Sequence, residues 1–352
     1  MRFSAAAIFA SALATAAAGP VNRETPLSIT LDLLGNTAIK ATIKNTGAEP
    51  LKVLKTGTIL DEHDVEKVQV FSGSERVQFD GIRIWLDTHA LTEKNFRVLR
   101  AGEVVEVEFD VAVDHDLGAG GAFDISSAGG LSYAAANSTE ICGYARFASN
   151  TLTAQVDGIA AASLRRERRE ALRRRVLLDN DCNAQQQAQI KTAYTGASVL
   201  TTKAAEAARN GPASRMTDFF KSSSAQTRKT VADRFAGIAT EMAATTAGKI
   251  RQHCTDIFGG VCSDGAVAYA MPWQDTMVNC PSWFNYPATT DDCRGVSQAM
   301  ITIHEATHLN QFGATDDFDC YGYECVKKLS AAQNIQHADS YMHFVGAVHA
   351  NC

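Results

Sequence analysis

Two histidines and a glutamate fall within a single helical turn's spacing in His304-Glu305-Ala306-Thr307-His308. On a helix, residues four apart share a face. The two imidazoles can therefore offer ring nitrogens to one zinc ion while Glu305 stands beside the remaining coordination position. The chemistry this supports is hydrolysis of a peptide bond. Zinc polarises a carbonyl and lowers the pKa of a water to about 7, and the glutamate takes that water's proton and passes it to the leaving amine. Two histidines alone do not make such a site, which needs a third protein ligand and keeps a fourth position for water.

The residues before the motif suit a helix threaded through a core. Ala299, Met300, Ile301 and Ile303 are apolar, and neither Gly nor Pro falls between Val296 and Phe312. Gly313 can end that helix and turn the chain back toward the metal. The metzincin pattern needs Gly at position 311 and His at 314, and Gln311 and Ala314 exclude it. Asp316, Asp317 and Asp319 are near enough to reach back as a third ligand, and Glu324 is the residue a thermolysin-like arrangement would use. The same acidic stretch would also suit a solvated loop or a weak calcium site.

The two histidines, followed by Thr315-Asp316-Asp317 and Tyr321-Gly322, resemble the aspzincins, and within them the deuterolysins, secreted neutral zinc endopeptidases of peptidase family M35. That family's signature adds Gly-Thr-x-Asp-x-x-Tyr-Gly after the histidines. Here Ala314 intervenes between Gly313 and Thr315, and three residues separate Asp317 from Tyr321, which keeps Asp319 as a fallback ligand. The resemblance implies one Zn2+ per mature chain, with Asp317 as the third ligand. It also implies that Tyr321 donates its hydroxyl to the oxygen on which charge develops, and that Asp339 lies close to the cleft as a substrate-pocket carboxylate or as support for a ligand. The disulfides it implies are Cys182 with Cys254, Cys262 with Cys280 and Cys293 with Cys352, leaving Cys320 and Cys325 as a clip around Tyr321. Substrates would be proteins or peptides, basic proteins among them.

The chain has 352 residues, is 45% hydrophobic and 20% charged, and carries a net charge of -6, which gives no reason to expect a nucleic-acid partner. Met1 to Ala18 reads as a secretory leader, with Arg2 ahead of an apolar run that ends in Ala16-Ala17-Ala18. No later stretch is apolar for long enough to cross a membrane, so a secreted, extracellular, monomeric protein is expected. Eight of the nine cysteines lie after residue 175, as a disulfide-bridged exported domain would place them. The odd one, Cys142, is a candidate thiolate cap on the zinc. Asn137-Ser138-Thr139 is a glycosylation sequon.

Residues 26 to 113 alternate in the manner of strands, for example in Leu27-Ser28-Ile29-Thr30-Leu31, whereas Gly118 to Gly130 reads as loop. A basic run, Arg165 to Arg175, marks the expected domain boundary and a cut by a dibasic-type processing protease after Arg175. Beyond it the periodicity is helical over 184–209, 213–223 and 227–252. A hairpin follows at 266–278, then the histidine helix and a last helix over 330–350. The expected fold class is multidomain. Residues 1–18 are a signal peptide, 19–175 an all-β, sandwich-like propeptide, and 176–352 a mainly α, zincin-like catalytic domain with a small β-sheet. A zinc hydrolase of a non-peptide substrate and a non-catalytic secreted binding protein are the alternatives.

Overall fold

A computed structural model describes residues 26–176, 181–244 and 248–352, the side chains of 172–176 excepted. The expected leader, Met1 to Ala18, lies outside these residues.

Alternating apolar residues build the first half. Strands β1 (Leu27–Leu33) and β2 (Ala38–Asn45) pair antiparallel and turn Ile29, Leu31, Ile39, Ala41 and Ile43 inward. They are followed by β3 (Leu51–Leu54), β4 (Gln69–Ser72), β5 (Glu75–Arg76), β6 (Arg83–Trp85), β7 (Phe96–Leu99) and β8 (Val104–Asp110). Strands β9 (Gly121–Ser126), β10 (Ala128–Ala134), β11 (Ile141–Ala148) and β12 (Leu152–Val156) complete the set. Three antiparallel sheets, ordered β1-β2-β8, β11-β10-β3-β7 and β12-β9-β4-β5, enclose one apolar core that includes Ile43, Val53, Val70, Ile125 and Leu131.

Helix α1 (Gly158–Val176) carries the basic run and packs Ala161 into the same core. The first part of that run is tied down. Arg165 pairs with Asp80 and Asp116, Arg168 Nε donates to Asp64 at 2.8 Å, and Arg169 meets Asp80 at 2.8 Å.

The second half is mainly helical. Helices α2 (Ala184–Asn210), α3 (Ala213–Phe220) and α4 (Ala225–Ala243) lead into strands β13 (Arg251–His253), β14 (Ala268–Met271) and β15 (Thr276–Asn279). Helix α5 (Gln298–His308) bears the histidine motif, and α6 (Tyr323–Lys328), α7 (Ala331–Asn334) and α8 (Ala338–Ala350) close the fold. The Ser297 side chain accepts the Met300 amide and so caps α5, whose residues are all buried against α2, α8 and β14. All four expected disulfides are present, Cys182–Cys254, Cys262–Cys280, Cys293–Cys352 and Cys320–Cys325. Among the described residues no helix is long and apolar enough to cross a membrane.

Four local expectations are corrected. Gly118 to Gly130 is not a loop, since β9 buries Phe123 and Ile125, and a Cβ at Gly130 would meet the Tyr144 ring at 2.6 Å. Gly130 thus serves close packing across β10 and β11. The third expected helix stops at Ala243, and Arg251 and Gln252 pair instead with Thr276 and Met277 of β15. The histidine helix ends at His308 because Leu309 turns extended (φ -66°, ψ 141°), and Gly313 (φ 109°) ends only a short 3-10 turn. The last helix is broken between Asn334 and Ala338. There the Asp316 amide donates to Gln336 (2.6 Å) and the Asp316 carbonyl accepts from Ala338 (3.1 Å), so backbone from the acidic loop takes the place of a helical turn.

The small hairpin β14-β15 matches the expectation, and two further strands extend it to the order β13-β15-β14-β6. Strand β6 belongs to the first half of the chain. Around it Leu54, Val65, Ile82, Ile84 and Trp85 join the core of the helical half.

Candidate active site

Helix α5 and the loop after it bring three atoms together. His304 Nε2 and His308 Nε2 are 3.1 Å apart, and Asp317 Oδ1 lies 3.3 Å from the first and 3.4 Å from the second. Ligands about 2.0 to 2.1 Å from one tetrahedral ion are separated by about 3.3 Å, so this triangle has the size that zinc requires. The protons agree with it. His308 Nδ1 donates to the Thr315 carbonyl at 2.9 Å, and His304 Nδ1 faces Asp339 Oδ1 at 2.8 Å. Both Nδ1 atoms therefore carry the hydrogen, and both Nε2 lone pairs point at Asp317. Two lone pairs and a carboxylate oxygen converging on one point call for a cation there.

The electrostatics show the same demand for positive charge at this point. Burial works against charge on His304, but the carboxylates of Asp317 and Asp339 outweigh it and hold the imidazole up at about 10. Burial keeps His308 below the ordinary histidine range. Asp317 is held well below the usual carboxylate range by the two imidazoles, against the pull of its burial. Glu305 is pushed well above that range by burial, His304 offsetting part of the rise, and neither of its oxygens has a hydrogen-bond partner among the described residues.

The remaining candidates separate cleanly. Asp319 stands outside the triangle, and burial beside Asp316 and Glu66 pushes its carboxyl well above the usual range. Asp316 faces the other way, to Arg83 Nη1 at 2.9 Å and Arg76 Nη2 at 3.2 Å, and these guanidiniums hold its carboxyl down at about 2 despite burial. Glu324 is exposed on α6 and pairs with Lys327 at 2.5 Å, which removes it as a thermolysin-like ligand. Asp339 lies behind the ring of His304, with its second oxygen accepting the Gly322 amide at 2.5 Å. It also lines a cavity of about 380 Å³ beside Tyr321, Arg294 and His343. Cys142 is exposed on β11 and belongs to no metal-binding group among the described residues, so it does not cap the site as the candidate thiolate.

The Tyr321 hydroxyl donates to the Ile84 carbonyl at 2.9 Å, and the Cys320–Cys325 bridge spans its loop. Gly57 (φ 76°) passes so close that a Cβ there would sit 2.9 Å from that hydroxyl. Sequence reasoning used Thr315 only as part of the motif and missed that its carbonyl sets the His308 tautomer. It also missed Asp316 as the partner of Arg83. No spacing links residues so far apart in the chain.

A family model described as "Deuterolysin metalloprotease (M35) family" matches residues 1–352. A neutral protease 2 homolog of Colletotrichum graminicola is 44% identical, covering 100% of both chains, and one of Phaeosphaeria nodorum is 43% identical over 94% of this chain and 93% of that protein. Neutral protease 2 of Aspergillus oryzae is 34% identical over 98% of each. Among solved structures, a zinc peptidase from Grifola frondosa covers 47% of this chain and 97% of its own at 22% identity and a TM-score of 0.40. The chain belongs to the deuterolysin (M35) metalloprotease family and is a zinc-dependent metalloendopeptidase acting on proteins or peptides.

Proposed function

We propose that this chain is a secreted zymogen. In this reading residues 1–18 are a leader, 19–175 a propeptide removed by a dibasic-type protease, and 176–352 the monomeric catalytic domain. His304, His308 and Asp317 hold the zinc, and Glu305 is the general base. The observation that carries the reading is the triangle of lone pairs, 3.1 to 3.4 Å on a side, with the carboxylate of Glu305 in the next residue of the same helix. The four disulfides suit an exported domain.

Zinc, when bound, supplies a Lewis acid for the scissile carbonyl and an acidified water. Everything else falls to the chain. Glu305, as its carboxylate, takes the water's proton and delivers it to the departing amine. Tyr321 offers the hydroxyl that meets negative charge as it grows on the carbonyl oxygen, a contribution on the order of 3 kcal/mol in a water-excluded site. Asp339 and Thr315 fix the rings of His304 and His308 from behind. Removal of residues 19–175 would take Arg76 and Arg83 away from Asp316 and add its negative charge to that of Asp339, which favours basic substrates.

The test uses the processed chain. Metal analysis should find one zinc per chain, lost on chelation together with peptide cleavage and restored with it. Asp317→Ala should lose the metal, and Asp319→Ala should keep it. Glu305→Gln should keep zinc and lower turnover by about 10² to 10⁴. Unchanged turnover in that variant would sink the mechanism. Cleavage of a peptide library mapped by mass spectrometry reads the preference for basic residues.

A further inference from the structure

The metal-binding group is shut away. His304, Glu305 and His308 are 0% exposed and Asp317 is 6% exposed, which leaves a peptidase no route for a substrate. Strand β6 is part of what closes it. Strand β14 is bonded to β15 on one side and to β6 on the other, with Ala268, Tyr269 and Ala270 opposite Trp85, Ile84 and Arg83 in antiparallel register. Without β6, β14 would be the open edge of this sheet. An open edge takes up an extended peptide through its main chain.

The details of β6 match what such a peptide would do. Carbonyls alternate along a strand, and that of Trp85 accepts the amide of Val267 on the β14 side at 3.0 Å. The carbonyl of Ile84 consequently points the opposite way, where Tyr321 donates to it. The ring of Trp85 stands edge-on to His304, with centroids 6.3 Å apart. Arg83 is buried over the ring of Phe79 at 4.6 Å and ion-paired to Glu66 on its own side and to Asp316 on the catalytic side, the latter at 2.9 Å.

We propose that Arg83–Trp85 is a substrate-mimicking strand. It fills the peptide-binding edge of β14 with the Ile84 carbonyl in the place of the scissile carbonyl, and the Arg83–Asp316 ion pair is its lock. The inference rests on the reading of residues 19–175 as a removable propeptide. On release, β14 receives a substrate strand in the same direction and register. Asp316 then faces the side chain one residue before the one that contributes the scissile carbonyl.

The experiment uses the full chain with the cut disabled by Arg173→Ala, Arg174→Ala and Arg175→Ala, loaded with zinc and assayed on a fluorogenic peptide beside the processed chain. Arg83→Ala in the uncut chain should raise activity at least about tenfold, and Arg83→Lys should raise it less. A folded Arg83→Ala chain as latent as its parent would overturn the inference. Hydrogen exchange needs no variant. The Val267 amide should be protected in the uncut chain and should exchange at least about tenfold faster once residues 19–175 are gone, and equal protection in both would also overturn it. If the uncut parent is as active as the processed chain, the propeptide reading itself fails and takes the inference with it.

Discussion

Asp339 touches both His304 and the turn after Tyr321. One carboxylate oxygen is 2.8 Å from His304 Nδ1 and the other accepts the Gly322 amide. A single side chain thus sets the tautomer of a proposed metal ligand and the position of the loop that carries the proposed hydroxyl donor. Asp339→Asn keeps the shape and loses the charge. Zinc affinity of the processed chain, measured by chelator competition, should fall about 10- to 100-fold. Unchanged affinity would show that Asp339 does not support the ligand.

Tyr321→Phe removes only the hydroxyl. In the processed chain kcat should drop by about 10² to 10³ with KM little changed, because the bond is made to charge that develops in the transition state. An equal loss through KM alone would mean that the hydroxyl serves binding.

His343 is a buried histidine whose two ring nitrogens both lack partners among the described residues. Burial holds it down at about 4, with Asp339 offsetting only part of the effect. The unfolded chain, with an ordinary histidine near 6.5, binds the proton first. Its contribution to stability is therefore complete above pH 6.5 and is lost as the pH falls toward 4, to the extent of about 3 kcal/mol. The melting temperature should decline across that window, and His343→Phe should flatten the decline. A profile with the same slope in both proteins would count against the assignment.

The bridges should differ in what they do. Cys182–Cys254 closes a separation of 72 residues and Cys320–Cys325 one of 5, so loop entropy gives about 4 kcal/mol for the first and about 2 for the second. Replacing the first pair with serine should lower the melting temperature more. Replacing the second should cost more kcat than stability, since Tyr321 lies inside it. Melting curves and steady-state rates on both variants decide the matter.

Much of the centre was legible because helical spacing brings His304, Glu305 and His308 to one place, whereas the choice of Asp317 over Asp316 and Asp319 came from the family resemblance and not from spacing. The strands of the first half were legible wherever alternation was strict, as in Leu27 to Leu33. What was not legible depends on distant partners. Gly130 reads as a loop residue until Tyr144 lies over it, and residues 335–337 read as helix until Asp316 takes up their hydrogen bonds. Arg83 on β6 carries no local mark of its pairing with Asp316, 233 positions away.

The first half grips the second at several places besides β6. Asn95 Nδ2 donates to the Asp264 carbonyl at 2.8 Å, Tyr144 to Phe318 at 3.0 Å and Arg146 to Lys328 at 3.1 Å, while Arg169 stacks on Trp273. The proposed cut after Arg175 would sever none of these links. On that proposal nicking and departure would be separate events, and the onset of proteolysis should follow a first-order lag whose length extra processing enzyme does not shorten.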